Sequence, residues 1–173
     1  MESSTDALTT APEARRHVSA LYQAHALALV KLAVLMTGDQ STAEDVVQDA
    51  FLGLYRRWNG LNDPARAIAY TRSSVLNGCR DVLRRRSRKV PAALLEPNAA
   101  SAEAHVLLAE EHREVLAALR RLPGRQREAV VLRHCLGLPE GEVAQAMGVS
   151  RGTVKSSAHR GLAALARILK EAS

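Results

Sequence analysis

Six residues within ten positions, Arg151, Thr153, Lys155, Ser156, His159 and Arg160, have side chains that can hold phosphates and read the edges of bases. Lysine and arginine neutralise phosphate, while hydroxyl, imidazole and guanidinium groups exchange hydrogen bonds with base edges. The stretch from Arg151 to Lys170 holds five Lys or Arg and no acid. A second constellation lies upstream, where Asn77 is followed by Arg80, Arg84, Arg85 and Arg88. An amide both donates and accepts, which suits the Watson–Crick edge of an unpaired base, and the arginines behind it suit a strand backbone. A third is acidic: Asp45, Gln48, Asp49 and Leu52 recur at helical spacing and would suit a basic protein surface. For each set the plain alternative is a solvated helix face. Bond-making chemistry has no such candidates. No Ser/His/Asp, paired-carboxylate, phosphate-loop or metal-ligand spacing occurs, and the six histidines are scattered. His134-Cys135 stands without a partner motif, so neither metal nor cofactor is expected.

The elements that must position these residues read as helices. Residues 1 to 14 are rich in Ser, Thr, Ala and Pro, with three acids and no Lys or Arg, and are expected to be disordered. Leu21, Leu29, Leu32 and Met36 form the apolar stripe of a first helix that Thr37-Gly38-Asp39 ends. A second helix is expected from Thr42 to Trp58, with Val47, Ala50, Phe51, Leu54 and Trp58 inward. Asn59 to Pro64 is a loop by composition, and a third helix, opened by Asp63 or Pro64, runs from about Ala65 into RDVLRRRSRK. Between Val90 and His112 there are four acids and no Lys or Arg, and Pro91, Pro97 and an Ala/Ser cluster mark a linker over 90–103. Helical periodicity returns from Ala104 to the end. The expected class is all-α: two small helical domains, 15–89 and 104–173, joined by a flexible linker.

The last of these helices belongs to a specific motif. EGEVAQAM, the break Gly148-Val149-Ser150 and RGTVKSSAHRGLAAL have the layout of a helix-turn-helix. Ala144 is small where the helices cross, Gly148 suits a left-handed turn, and Ser150 can cap the second helix. Val143, Met147, Val149 and Val154 lock the pair. On the second helix Val154, Ala158, Leu162, Leu165 and Leu169 are expected on the packed side, leaving Thr153, Ser156, Arg160 and Arg167 opposite. Such a helix can enter the major groove.

Composition agrees with these readings. The 173 residues carry a formal charge of +6, and only 3% are aromatic, so cores must be built from Leu, Val and Ala. Cys79 and Cys135 form no CxxC pair and suit a reducing compartment, with Cys79 read as a small buried residue. The apolar run from Ala26 to Met36 is broken by Lys31 and reads as too short to cross a bilayer. The polar start lacks a signal-peptide layout, so a cytoplasmic protein is expected.

Three stretches, in order, resemble one family. AEDVVQDAFLGLYRRW is similar to the core-polymerase-binding helix of sigma-70 class sigma factors. AYTRSSVLNGCRDVLRRRSR resembles the promoter-melting helix of the extracytoplasmic-function group, in its short actinobacterial type. LPGRQREAVVLRHCLGLPEGEVAQAMGVSRGTVKSSAHRGLAAL resembles that group's C-terminal helix-turn-helix domain. The resemblance implies that Asp45, Gln48, Asp49 and Leu52 dock on the clamp helices of the polymerase largest subunit. It implies that Asn62 and Asp63 of the loop, with Asn77, Arg80, Arg84, Arg85 and Arg88, serve the minus-ten element. Arg151, Thr153, Lys155, Ser156, His159 and Arg160 would face the minus-thirty-five element. The β flap of polymerase, promoter DNA and, commonly in this group, an anti-sigma factor are the implied partners, with no membrane insertion. The acidic linker would pass near the RNA exit path. Three departures stand out: Ser157 and Leu162 replace basic residues frequent in the group, and Gly141 replaces a bulky one. The competing reading is a stand-alone repressor or activator with an N-terminal dimerisation or ligand domain.

Overall fold

The computed structural model describes residues 10–61, 63–89 and 113–172, and among them every regular element is helical. The elements are α1 (Ala11–Thr37), α2 (Gln40–Arg56), a 3₁₀ turn (Trp58–Gly60), α3 (Pro64–Lys89), α4 (Arg113–Arg121), α5 (Gly124–Val130), a π turn (Val131–Cys135), α6 (Glu140–Met147) and α7 (Arg151–Ala172). The stretch expected to be a linker and the adjoining residues to 112 lie outside the described residues, as does Asn62.

Helices α1, α2 and α3 pack mutually around Leu29, Leu32, Met36, Val47, Leu54 and Leu76, all buried. The inward face expected of α2 is the observed one, since Val47, Ala50, Phe51, Leu54 and Trp58 are all buried. Three boundaries differ from expectation. Helix α1 starts at Ala11 rather than near residue 15, because the Thr10 backbone N–H and hydroxyl both donate to the Glu13 carboxylate. Helix α2 starts at Gln40, not Thr42, because the Asp39 carboxylate accepts from Thr42 N at 2.8 Å and caps it. It ends at Arg56, and Trp58 reaches the core from the 3₁₀ turn. Helix α1 also corrects the length read for the apolar run: at 27 residues with a window of mean hydropathy 1.5, it passes by length and composition a test for membrane spans that core helices pass too. Here its apolar stripe is spent on α2 and α3.

In the C-terminal half, α6 and α7 meet through buried Val143, Met147 and Val154, with Gly148 at φ 66° ending α6 and Ser150 Oγ accepting from Thr153 N at 3.2 Å. A non-glycine residue at that φ is strained, so the turn is a real requirement at Gly148. The seam along α7 keeps the expected Val154, Ala158 and Leu165 but not Leu162. Leu162 is 40% exposed, and the buried positions are Val154, Ser157, Ala158 and Gly161. Gly161 explains the shift, because a Cβ there would lie 2.6 Å from Val130 Cγ2 and 3.0 Å from the Gln126 carbonyl oxygen. Its absence lets α5 press directly on α7 and draws the seam to the Gly161 side. Alanine at Gly161 is therefore expected to destabilise the protein by about 1–3 kcal/mol in denaturant unfolding. The overpacking against a backbone oxygen outweighs the ~1 kcal/mol gain in helix propensity.

The two halves also touch. Helices α1 and α4 pack together, as do α3 and α6. Arg127, buried on α5, donates to the Met36 carbonyl of α1 at 2.9 Å and to the carbonyls of Leu119, Arg120 and Leu122. Burial, reinforced by Arg120 nearby, lowers this guanidinium below its ordinary value, while Glu128 acts the other way. Four carbonyls compensate the buried charge, and among the described residues no carboxylate is hydrogen-bonded to it.

Candidate nucleic-acid and polymerase interfaces

Helix α2 presents the acidic set as a single exposed face. Asp45, Gln48, Asp49 and Leu52 are all exposed, with Leu52 52% so, while the opposite face is core. Beside them a groove of about 570 Å³ opens between α1 and α2, lined by Gln48 and Leu52 together with Val18, Tyr22, Phe51 and Tyr55. Tyr22 and Tyr55 are large and exposed, and Tyr22 meets Phe51 edge-on at 5.0 Å. Sequence reasoning missed this groove because half its wall comes from α1, which carries no charge pattern to announce it.

Helix α3 carries the second set. Its start is fixed by Asp63, whose carboxylate accepts from Ala65 N at 3.1 Å. That use gives Asp63, expected at DNA, a capping role as well. Asn77, Arg84, Arg85 and Arg88 are exposed, with Arg84 paired to Asp81 at 2.6 Å. Arg86, in the same run, turns inward instead, donating to the Thr37 carbonyl at 2.8 Å and to Thr42 Oγ1 at 3.2 Å. Arg80 is not free. Its Nε and Nη2 each donate to a carboxylate oxygen of Glu128 at 2.6 Å, and its Nη1 donates to Asn77 Oδ1 at 2.7 Å. The hydrogen bonds to Glu128 raise the Arg80 guanidinium above its ordinary value, outweighing the effect of its partial burial. No local pattern could reveal Glu128, which lies 48 positions away, directly after Arg125, Gln126 and Arg127.

Cys79 lies behind this network and is fully buried, as expected of a packing residue. Burial, then the nearby Glu128 charge, pushes its thiol up to about 12. At pH 8 such a group is thiolate at on the order of one part in ten thousand. A thiol reagent should therefore titrate one cysteine, exposed Cys135, in the native protein and both after denaturation.

Helix α7 shows the third set to solvent. Arg151, Thr153, Lys155, His159 and Arg160 are exposed and Ser156 is half-buried. Local bonds order this face: Thr153 Oγ1 lies 2.9 Å from Ser150 Oγ, Ser156 Oγ donates to the Thr153 carbonyl, and Arg160 Nε donates to the Ser156 carbonyl. Ser157 is buried, so it faces the core and an arginine there would not reach outward as a phosphate ligand. Gly141 has a local reason too, since the Arg151 guanidinium rests against it, 2.8 Å from where a Cβ would sit. Among the described residues no group of three His, Cys, Asp or Glu side chains is placed to hold a metal ion.

Comparison with known proteins gives this arrangement its context. Residues 21–89 match the family described as sigma-70 region 2, and residues 112–165 match sigma-70 region 4. The chain is 36% identical over 142 residues to the RNA polymerase sigma-E factor of Streptomyces avermitilis, covering 80% of this chain and 76% of that one. It is also 36% identical over 149 residues to the ECF RNA polymerase sigma factor SigM of Mycobacterium tuberculosis, covering 86% and 75%. Among solved structures, CnrH in complex with the cytosolic domain of CnrY superposes with a TM-score of 0.72 at 26% identity over 94% of this chain and 96% of CnrH. The sigma factor RpoE of Bartonella quintana, solved with the anti-sigma factor NepR, shares the fold with a TM-score of 0.64 at 22% identity over 86% of this chain and 95% of that one. A stand-alone repressor leaves the region 2 match unexplained. With two ordered family regions and relatives above a third identical over most of both chains, the protein belongs to the extracytoplasmic-function group of the sigma-70 family of RNA polymerase sigma factors.

Proposed function

We propose that residues 15–89 form the unit that docks on core polymerase and handles the minus-ten element, and that residues 104–173 form the unit that reads the minus-thirty-five element, with 90–103 as the connection. The supporting observation is the disposition of three helices: α2, α3 and α7 each bury an apolar face and expose the face that carries one set. Asp45, Gln48, Asp49 and Leu52 meet the clamp helices of the largest subunit, and the C-terminal unit meets the β flap. Arg84, Arg85 and Arg88 follow the phosphates of the displaced strand by charge, without regard to sequence. Asn77, with the loop residues Asn62 and Asp63, holds an unpaired base. Arg151, Thr153, Lys155, Ser156, His159 and Arg160 occupy the upstream major groove. The chain performs no bond-making step of its own; nucleotide addition belongs to the polymerase. It works where polymerase and chromosome are, in the cytoplasm. CnrH was solved bound to the cytosolic domain of CnrY, and a protein that sequesters the sigma factor is an expected partner here as well.

Reconstitution tests this reading. Core polymerase plus the protein should produce discrete transcripts from a genomic template, while core alone should not. Absence of any added start site would refute it. Arg160 offers a finer check, because its guanidinium is exposed on the groove-facing side of α7. Alanine there should weaken promoter binding by about 1–3 kcal/mol, with a loss that depends on the upstream bases. Equal loss on every upstream sequence would make Arg160 a phosphate contact instead.

A further inference from the structure

Gly141 lies inside α6 without a positive φ, since the positive-φ glycines among the described residues are Gly38, Gly137 and Gly148. A glycine in such a place costs helix stability relative to alanine, so backbone conformation does not explain it. The space above it does. A Cβ at Gly141 would lie 2.8 Å from Arg151 Nη2, 3.3 Å from Cζ and 3.4 Å from Nε. Three guanidinium atoms so close to one point mean that the group lies over Gly141 rather than touching it with its tip. Among the described residues Arg151 makes no ion pair, so no carboxylate fixes it there. Two electrostatic causes favour the position. Arg151 is the first residue of α7, at the positive end of that helix, which favours leading its charge away. The first turn of α6 carries Glu140 and Glu142, on either side of Gly141 in sequence, and they draw a cation toward it. Arg151 thus starts on the second helix of the helix-turn-helix and ends on the first.

The position matters because the two helices of this motif meet DNA differently: the second lies in the major groove, while the first crosses the strand backbone. Ser156 and Arg160 are tied to carbonyls of α7 itself, whereas the Arg151 guanidinium leaves that helix. We propose that Gly141 is a positioning residue, a seat that carries the Arg151 guanidinium off the base-reading face and onto a phosphate at the edge of the upstream groove. Arg151 then adds affinity without sequence preference, and any side chain at position 141 pushes it off that phosphate. The displacement does not strain the fold, because what gives way is the far end of a flexible side chain. This rests on the assignment of α7 to the upstream element.

The test uses holoenzyme reconstituted from core polymerase and the full chain, titrated with a duplex copied from the minus-thirty-five region of a promoter that it transcribes. One phosphate contact contributes a slope of about 0.9 in log affinity against log salt, which at roughly 0.1 M salt is about eightfold in affinity. Gly141→Gln and Arg151→Ala should each weaken binding by about that factor and flatten the salt dependence by about that slope, alike on duplexes with altered upstream bases. The variant carrying both changes should lose no more than Arg151→Ala alone, and Gly141→Gln should unfold at no lower temperature than the unsubstituted protein. If Gly141→Gln fails to fold, Gly141→Ala serves in its place, since a single Cβ already meets the guanidinium. Losses that add in the double variant would overturn the seat, as would unchanged binding and salt dependence in the Gly141 variant while Arg151→Ala is weakened. A loss in Arg151→Ala confined to one base pair would overturn the phosphate contact. Arg151→Ala without effect would fault the assignment of Arg151 to DNA and the seat with it, and a holoenzyme indifferent to the upstream duplex would fault the reading of α7 on which both depend.

Discussion

The Asp45→Lys, Asp49→Lys double variant is expected to lose core-polymerase binding by at least about a hundredfold while remaining folded. Both carboxylates are exposed on the outer face of α2, one turn apart, and neither makes an ion pair among the described residues. Their substitution should thus change stability by less than about 0.5 kcal/mol each. At a basic partner the same change replaces two attractions by two repulsions, and a total near 3 kcal/mol corresponds to roughly a hundredfold in affinity. Gln48 and Leu52 lie between the acids and the aromatic groove formed with α1, so the interface has an apolar anchor beside its charges. Circular dichroism establishes folding and co-purification reports binding. A folded double variant that still co-purifies would disprove the docking face.

The second large effect is at Asn77. Replacement by alanine should leave polymerase binding and upstream duplex binding unchanged yet slow open-complex formation by roughly ten- to a hundredfold, the equivalent of one lost base contact of about 1–3 kcal/mol. Asn77 is exposed on α3, and among the described residues its one side-chain partner is Arg80, so the helix does not depend on it. A template already mismatched across the minus-ten region should recover part of the activity, because unpairing no longer has to be driven. Full recovery would place the role of Asn77 in unpairing alone; no recovery would place it outside melting altogether.

Most of the fold was legible because it depends on local rules. The 3.6-residue stripes of α1 and α2, the turn at Gly38, Asp63 at the head of α3 and the small residues of the helix-turn-helix are all short-range signals, and each is found in place. The errors also have local causes. The start of α2 was set at Thr42, which is the residue that receives the cap, rather than at Asp39, which supplies it. The α7 seam was projected through Leu162 from a four-residue step, whereas close packing of α5 on Gly161 selects the three-residue step from Ala158. What the sequence could not show is pairing over distance. Arg80 and Arg86 look alike in RDVLRRRSRK, yet one reaches Glu128 and the other the end of α1. Among the arginines of that helix, tertiary partners decide which remain available to DNA.

The central claim is that this chain turns core polymerase into an enzyme that opens a particular promoter and does so through α3. Permanganate footprinting of the reconstituted holoenzyme on its own promoter tests it most directly, because only unpaired thymines react. The unsubstituted protein should make thymines of the minus-ten region reactive, and Asn77→Ala should reduce that reactivity without loss of holoenzyme. Normal reactivity in the Asn77 variant would contradict the role given to α3, and an unreactive promoter with the unsubstituted holoenzyme would contradict the account as a whole.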